Sequence, residues 1–333
     1  METGRLNGGA NTLNLSAEPI EPSFPGAPGV GGVVSAEQMD REPAAESARR
    51  AGEVTRGGTA GRRRRGFLPL IVAYPATSIL IAINLFVFAL MFRHGPAIAL
   101  WRAHQYGQIL TAPFDIPTLW RFGGCDNAMV LTGGWWRLLS ACFVHASILH
   151  IAVNLWCLWN LGIFGEPLLG RWGLGWVYVL TGITGNMLSL SWSLFTRTDA
   201  LVVGASGAIF GIAGILIVLL SNRKLALPWE ELKRLRGQVI LFAVANLALG
   251  LAPQFTPALS AAQWARLHVN PDTLPHIDNS AHVGGFLSGL ALGVPLLPRM
   301  TTGRARYRAR QRVTFAGAAL LLCLIGYAIA KLA

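Results

Sequence analysis

The sequence predicts an all-α polytopic membrane protein, and three observations carry that prediction. Only 13% of the residues are charged while 53% are hydrophobic, against roughly 25% charged in soluble domains. The apolar residues are gathered into runs long enough to cross a bilayer. Between those runs lie short blocks of arginine, the arrangement that orients helices in a membrane. A formal net charge of +12 raises nucleic-acid binding as a rival. Its confinement to blocks between apolar spans argues for a lipid bilayer as partner and for no nucleic acid. Cys125, Cys142, Cys157 and Cys323 show no CxxC or CxxH spacing, so neither a zinc site nor a disulfide framework is expected, and no cofactor or metal.

Residues 1–61 are rich in Gly, Pro, Ala, Ser and Glu and almost free of aromatic side chains. Such a segment buries too little apolar surface to offset its ordering entropy, so it reads as a disordered cytoplasmic tail. No apolar core follows Met1, and eight acidic residues precede position 60, which argues against a secretory signal and a transit peptide. Arg62, Arg63, Arg64 and Arg65 then open a core at 62–298. Its spans read at about 67–92, 139–163, 173–195, 204–221, 238–254 and 280–298, with Pro253 and Pro257 blurring the end of the fifth. A basic cytoplasmic linker at 299–312 and an extra transmembrane helix at 313–333 complete the chain.

Orientation follows from the positive residues. Arg62 to Arg65, then Arg223, Lys224, Lys233, Arg234 and Arg236, then Arg299, Arg304, Arg306, Arg308, Arg310 and Arg312 all fall on one side if every span crosses. The positive-inside rule makes that side cytoplasmic. Arginine outnumbers lysine, which suggests a GC-rich bacterium and hence its inner membrane. The connection at 93–137 holds Trp101, Trp120, Trp135 and Trp136, and tryptophan favours the interface, so this loop is expected partly within the outer leaflet.

Two stretches of matching design carry the chemistry. Gly204-Ala205-Ser206-Gly207 opens the fourth span, and Ala281-His282 opens the sixth, with Gly285 and Gly289 three and seven positions on and so on the face of His282. Both spans run inward, which sets Ser206 and His282 at a similar depth in the outer leaflet. A serine beside an ionisable histidine suggests a nucleophile and its base. Other routes to intramembrane hydrolysis lack their residues. Asp115, Asp126, Asp199, Asp272 and Asp278 all lie in connections, no His is followed by Glu as in HExxH, and Ala208 breaks the G-x-S-x-G pattern. Within the spans the only carboxylate is Glu166, at the inner end of the second, so a dyad without a third member is expected. His150 and Asn154, four apart on one face of the second span, are candidate oxyanion donors, or else polar ties between helices.

This combination resembles the rhomboid family of intramembrane serine proteases. The likeness covers about 67–298 and rests on Trp136-Arg137, His145…His150-Ile151-Ala152-Val153-Asn154, Gly204-x-Ser206-Gly207 and Ala281-His282-x-x-Gly285-x-x-x-Gly289. It implies a six-helix core with one further helix, Ser206 as nucleophile and His282 as general base. It implies an oxyanion hole from His150, Asn154 and the Ser206 N–H. Trp136, Arg137, His145 and Glu166 match positions that the family uses to hold the first loop. Phe210 stands where some relatives carry a tyrosine packed on the base. The N-terminal tail has no counterpart.

The resulting expectation is an intramembrane serine endopeptidase acting on single-span membrane proteins near the outer-leaflet ends of their helices. Local unwinding by Gly, Pro or β-branched residues would expose the scissile bond, and a small side chain is expected just before it. A catalytically weak relative that binds membrane clients for trafficking or quality control is the alternative, although such relatives lose the Ser or the His. A transporter would need an internal repeat and an acid–base relay, and the sequence displays neither.

Overall fold

A computed structural model describes residues 72–198, 201–223, 225, 227–255, 278–297 and 303–332. The expected tail, the Arg62 to Arg65 block, Asp199, Asp272, Pro257 and Arg299 lie outside the described residues. What is described is dominated by apolar helices, and the molecule is a multi-pass integral membrane protein.

Helix α1, Pro75–Phe92, begins with a proline, which is suited to a first turn because its missing N–H would be unpaired there anyway. Its other first-turn donors are met from a distant element. The buried carboxylate of Glu166 accepts the N–H groups of Ala76 and Thr77, each at 2.9 Å, and the Thr77 hydroxyl at 2.8 Å. A carboxylate on a helix N-terminus satisfies orphan donors and complements the helix dipole. The partners of Glu166 thus lie on α1 and not in the first connection.

That connection holds short helices α2 (Ala97–Arg102), α3 (Ile116–Arg121), α4 (Asn127–Leu131) and α5 (Arg137–Ser140) and a two-residue strand β1 (Cys125–Asp126). Ile98, Trp101, Tyr106, Leu110, Ile116 and Trp136 are all exposed on it, an apolar surface of the kind that rests in lipid.

Helix α6 runs Ile148–Thr196, 49 residues. Straight, it would extend about 73 Å, more than twice a ~30 Å hydrocarbon core. Gly170, at φ 74° and ψ 162°, breaks it into arms 148–169 and 171–196. The chain turns back there: a methyl placed on Gly165 would lie 3.2 Å from Leu174 Cδ1. The second arm exposes Trp172 and Trp176 near one end and Trp192 and Phe195 near the other. Trp172 and Trp192 are about 30 Å apart along the axis, the separation of two aromatic belts.

Several boundaries differ from the sequence expectation. The second span does not begin at 139. Residues 141–143 form a 3-10 turn, Val144 is extended, and the helix starts only after Ser147, whose hydroxyl accepts the His150 N–H at 3.2 Å. Val144 and His145 are fully buried, and hydropathy registers burial rather than conformation. The spans expected at 204–221 and 280–298 are shorter helices, α7 (Ser206–Leu219, 14 residues) and α9 (Asn279–Gly293, 15 residues). Helix α7 is enclosed by its neighbours, with nearly every residue buried, so its length is not set by lipid. Before it a strand β2 (Leu201–Val202) pairs antiparallel with β1, a detail that an all-α reading omits. Helix α8, Trp229–Phe255, starts nine residues before the expected 238 and continues through Pro253.

The last helix, α10 (Arg304–Leu332), is docked by polar contacts at the α6 turn. Its Tyr307 hydroxyl donates to Leu168 O at 3.3 Å, and Gln311 Nε2 donates to Leu169 O at 2.8 Å. The break at Gly170 strips those carbonyls of their helical partners, and in a bilayer no water replaces them. Arg310 similarly reaches Leu297 O, beyond α9, at 2.9 Å. Gln311→Leu should therefore lower unfolding stability in micelles by about 1–3 kcal/mol, the cost of a buried unsatisfied group. Leu320→Ala, at a lipid-facing position 62% exposed, should leave the thermal unfolding midpoint nearly unchanged.

Candidate active site

The segment entering α7 is held on both sides. The β1–β2 ladder pairs Cys125 with Val202 and Asp126 with Leu201. Two residues on, the Gly204 N–H donates to Ala141 O at 2.9 Å, and the Ala205 N–H donates to His145 Nε2 at 3.4 Å. Ser206 then begins the helix, so its N–H belongs to the first turn, which has no acceptors within α7. The positive end of the helix dipole falls at the same place.

Gly204 sits at φ +123°, a conformation that favours glycine. A side chain there would meet His150 Nε2 at 2.8 Å, with Ser206 Oγ 3.7 Å away. The space left by its missing side chain is thus lined by the imidazole and the serine together. His150 Nδ1 accepts the Ala146 N–H at 3.4 Å. In a neutral ring that assigns the proton to Nε2, the nitrogen facing this space.

His282 reaches the same end of the molecule by backbone contact between α7 and α9. Gly207 lies 3.4 Å, at its Cβ position, from Ala281 O. A methyl on Gly285 would fall on the Gly207 carbonyl, and one on Gly289 on the Gly211 carbonyl. Phe210, one turn after Ser206, stacks on the His282 ring at 4.4 Å with an interplanar angle of 13°. His282 is buried, and its Nδ1 has no hydrogen-bond partner.

Other predicted residues have distinct placements. Asn154 is buried and donates to His150 O at 2.9 Å, one turn back on its own helix, leaving its second amide hydrogen available. Arg137 donates to Trp120 O at 2.7 Å and Gly124 O at 3.0 Å, and its guanidinium lies 4.7 Å from the Trp136 ring. It therefore ties α5 to α3 and to the residue before β1 within the first connection. Among the described residues no group of three or more His, Cys, Asp or Glu side chains converges as a metal site would require. Burial pushes the Cys125 thiol up to about 12, so it stays protonated at neutral pH.

A family model described as the Rhomboid domain matches residues 132–299, half of the chain, a range that includes His150, Asn154, Ser206, Phe210 and His282. The chain belongs to the rhomboid family. It is 34% identical over 183 residues to Rhomboid protease GluP of Bacillus subtilis (strain 168), covering 54% of this chain and 30% of that protein. To RHOMBOID-like protein 5 of Arabidopsis thaliana it is 32% identical over 190 residues, covering 57% and 53%. With the same plant's RHOMBOID-like protein 6, mitochondrial, it shares 28% over 263 residues, covering 74% and 76%. The chain thus spans from under a third to about half of the first two relatives.

In this rhomboid the structure adds residues that sequence reasoning passed over. Asp278 caps α9: its Oδ1 accepts the Ser280 N–H at 2.9 Å and the Ala281 N–H at 3.1 Å, and its Oδ2 accepts the Ser189 hydroxyl of α6. It fixes the helix one turn before His282. An Asp just ahead of an apolar run is an N-cap signal, so this role was readable. Phe242 of α8 lies 6.1 Å from Phe210, buttressing the ring stacked on His282, and no local pattern announces it.

Gly204→Ala tests the space between His150 and Ser206. The new methyl must displace the imidazole or strain the backbone, at a cost of order 1–3 kcal/mol. If His150 is an oxyanion donor, reaction of Ser206 with a fluorophosphonate, followed by intact mass, should slow on the order of 10²-fold.

Proposed function

We propose that this rhomboid is an intramembrane serine endopeptidase with Ser206 as nucleophile and His282 as general base. The observation that carries the reading is the convergence at Gly204. Ser206 Oγ and the proton-bearing nitrogen of His150 line one small space, while His282 is stacked on the ring one turn below Ser206.

Ser206 Oγ attacks the scissile carbonyl carbon and its proton passes to His282. Negative charge gathers on the carbonyl oxygen, where His150 Nε2–H and the Ser206 N–H stabilise it, with Asn154 contributing its free amide hydrogen. Collapse breaks the C–N bond, and His282 returns the proton to the leaving amine. Water then attacks the acyl-enzyme, giving a proton to His282, and the ester bond breaks to release the acid and restore Ser206. The unpartnered Nδ1 of His282 supports a dyad, because Asp278 spends both oxygens on the α9 cap and Ser189.

The end of the helices opposite Ser206 bears Arg171, Arg223, Lys233, Arg234, Arg236 and Arg310, against Glu230 and Glu231. By the positive-inside rule that end is cytoplasmic, in keeping with a bacterial inner membrane and a cytoplasmic N-terminus. The six-helix core with α10 added then holds the site on the outer side. Its substrates are single-span membrane proteins, cut near the outer-leaflet ends of their helices where helix-breaking residues let the chain unwind.

Purified full-length protein incubated with a single-span substrate should release two products. Mass spectrometry should place the cut in the extracytoplasmic part of the span. Ser206→Ala and His282→Ala should each abolish cleavage while the protein still inserts and folds. Cleavage that persists in Ser206→Ala would overturn the assignment, and a cut in the cytoplasmic half would overturn the orientation.

A further inference from the structure

Where the chain crosses from α7 to α8, three cations gather on one indole. The Arg223 guanidinium lies 4.5 Å from the Trp229 ring centroid, Arg236 5.6 Å and the Lys233 ammonium 6.0 Å. Arg236 is held further by a hydrogen bond to Ser221 Oγ at 3.1 Å. Their charges are not equally compensated. Lys233 pairs with Glu230 at 2.9 Å, and the neighbouring Arg234 pairs with Glu231 at 2.8 Å. Neither Arg223 nor Arg236 forms an ion pair with a described carboxylate. Two guanidinium groups without a described carboxylate partner are thus held against the same ring, an arrangement that like-charge repulsion disfavours until an anion joins it.

The surroundings say which anion. Trp229 packs its inner side on the end of the apolar core, and an indole in that position marks the boundary between hydrocarbon and headgroups. Arginine matches a phosphodiester through paired N–H donors. From Arg236 a single helical face continues through Ile240 and Val244, at i+4 and i+8, and these two are 41% and 59% exposed. A cation at the membrane surface followed by an apolar stripe down the same face fits a headgroup and its acyl chain. Free phosphate would use only the first half of this surface.

We propose that Arg223, Arg236 and Trp229 bind the phosphodiester headgroup of an anionic phospholipid whose acyl chain lies along Ile240 and Val244. The site is at the opposite end of α7 from Ser206 and involves none of the residues assigned to catalysis.

The test follows the thermal unfolding midpoint of the full chain in neutral micelles as phosphatidylglycerol is added. For the unaltered protein the midpoint should rise and saturate. In Arg223→Gln/Arg236→Gln the half-saturating concentration should be about 30-fold higher, since each basic residue near a lipid surface is worth about fivefold. Arg234→Gln, at a position already paired with Glu231, should respond like the unaltered protein. If the double variant does not accumulate, either single substitution should show a shift of about fivefold. The proposal is overturned if the arginine variants keep the unaltered response. It is overturned equally if phosphatidylcholine or inorganic phosphate matches phosphatidylglycerol. Peptide cleavage is not part of the readout, so this result and the fate of the protease assignment are independent.

Discussion

The contact on which this structure depends is backbone against backbone, between α7 and α9. Over two helical turns the carbonyls of Gly207 and Gly211 occupy the positions where side chains on Gly285 and Gly289 would stand, and Gly214 faces the Phe286 carbonyl in the same way. Glycine is costly in a helix in water. Inside a membrane the balance changes, because association there rests on packing and small residues allow the closest approach. The consequence is positional. With no side chains between the helices, the first turns of α7 and α9 lie directly together, and a serine and a histidine that are 76 positions apart in the chain share one end of the molecule.

A second constraint, that no backbone polar group can be left unpaired in lipid, explains features that hydropathy leaves unaccounted for. Several helix ends inside the bundle are closed by side chains, whereas the first turn of α7 at Ser206 has no side-chain cap. Glu166 closes α1, Asp278 closes α9, and Tyr307 and Gln311 cover the carbonyls freed at the Gly170 turn. These polar groups are spent on architecture, whereas His150 and His282 keep nitrogens for the site. Helix α10 therefore belongs to the packed structure, although its outer surface is given over to lipid.

Much of this was legible in the sequence, and the failures have physical causes. Ser206 and His282 stood out because each opens an apolar run beside glycines, and small residues at regular spacing predict a close helix contact. The start of α6 was misplaced because residues 139–147 are as apolar as a span while folded irregularly around His145 and Val144. Helix α7 was expected to be longer because a lone sequence cannot tell a helix facing lipid from one facing other helices. Asp278 could have been found from its capping position. By contrast, Phe242 depends on how α8 leans on α7, and the β1–β2 pairing joins segments 75 residues apart at only two positions each. Neither leaves a local pattern.

The α7–α9 contact sets the geometry of Ser206 and His282 from a distance, and Gly289 tests this most directly. Residue 289 is seven positions beyond His282 and packs on the Gly211 carbonyl, away from the site. The measurement is the rate at which a fluorophosphonate labels Ser206 in Gly289→Ala and Gly289→Val, in protein shown by circular dichroism and thermal unfolding to remain folded. If the contact sets the geometry, the rate falls in the order Gly, Ala, Val, reaching on the order of 10²-fold for a displacement near 1 Å. Folded Gly289→Val protein that is labelled as fast as the unaltered chain would contradict the account.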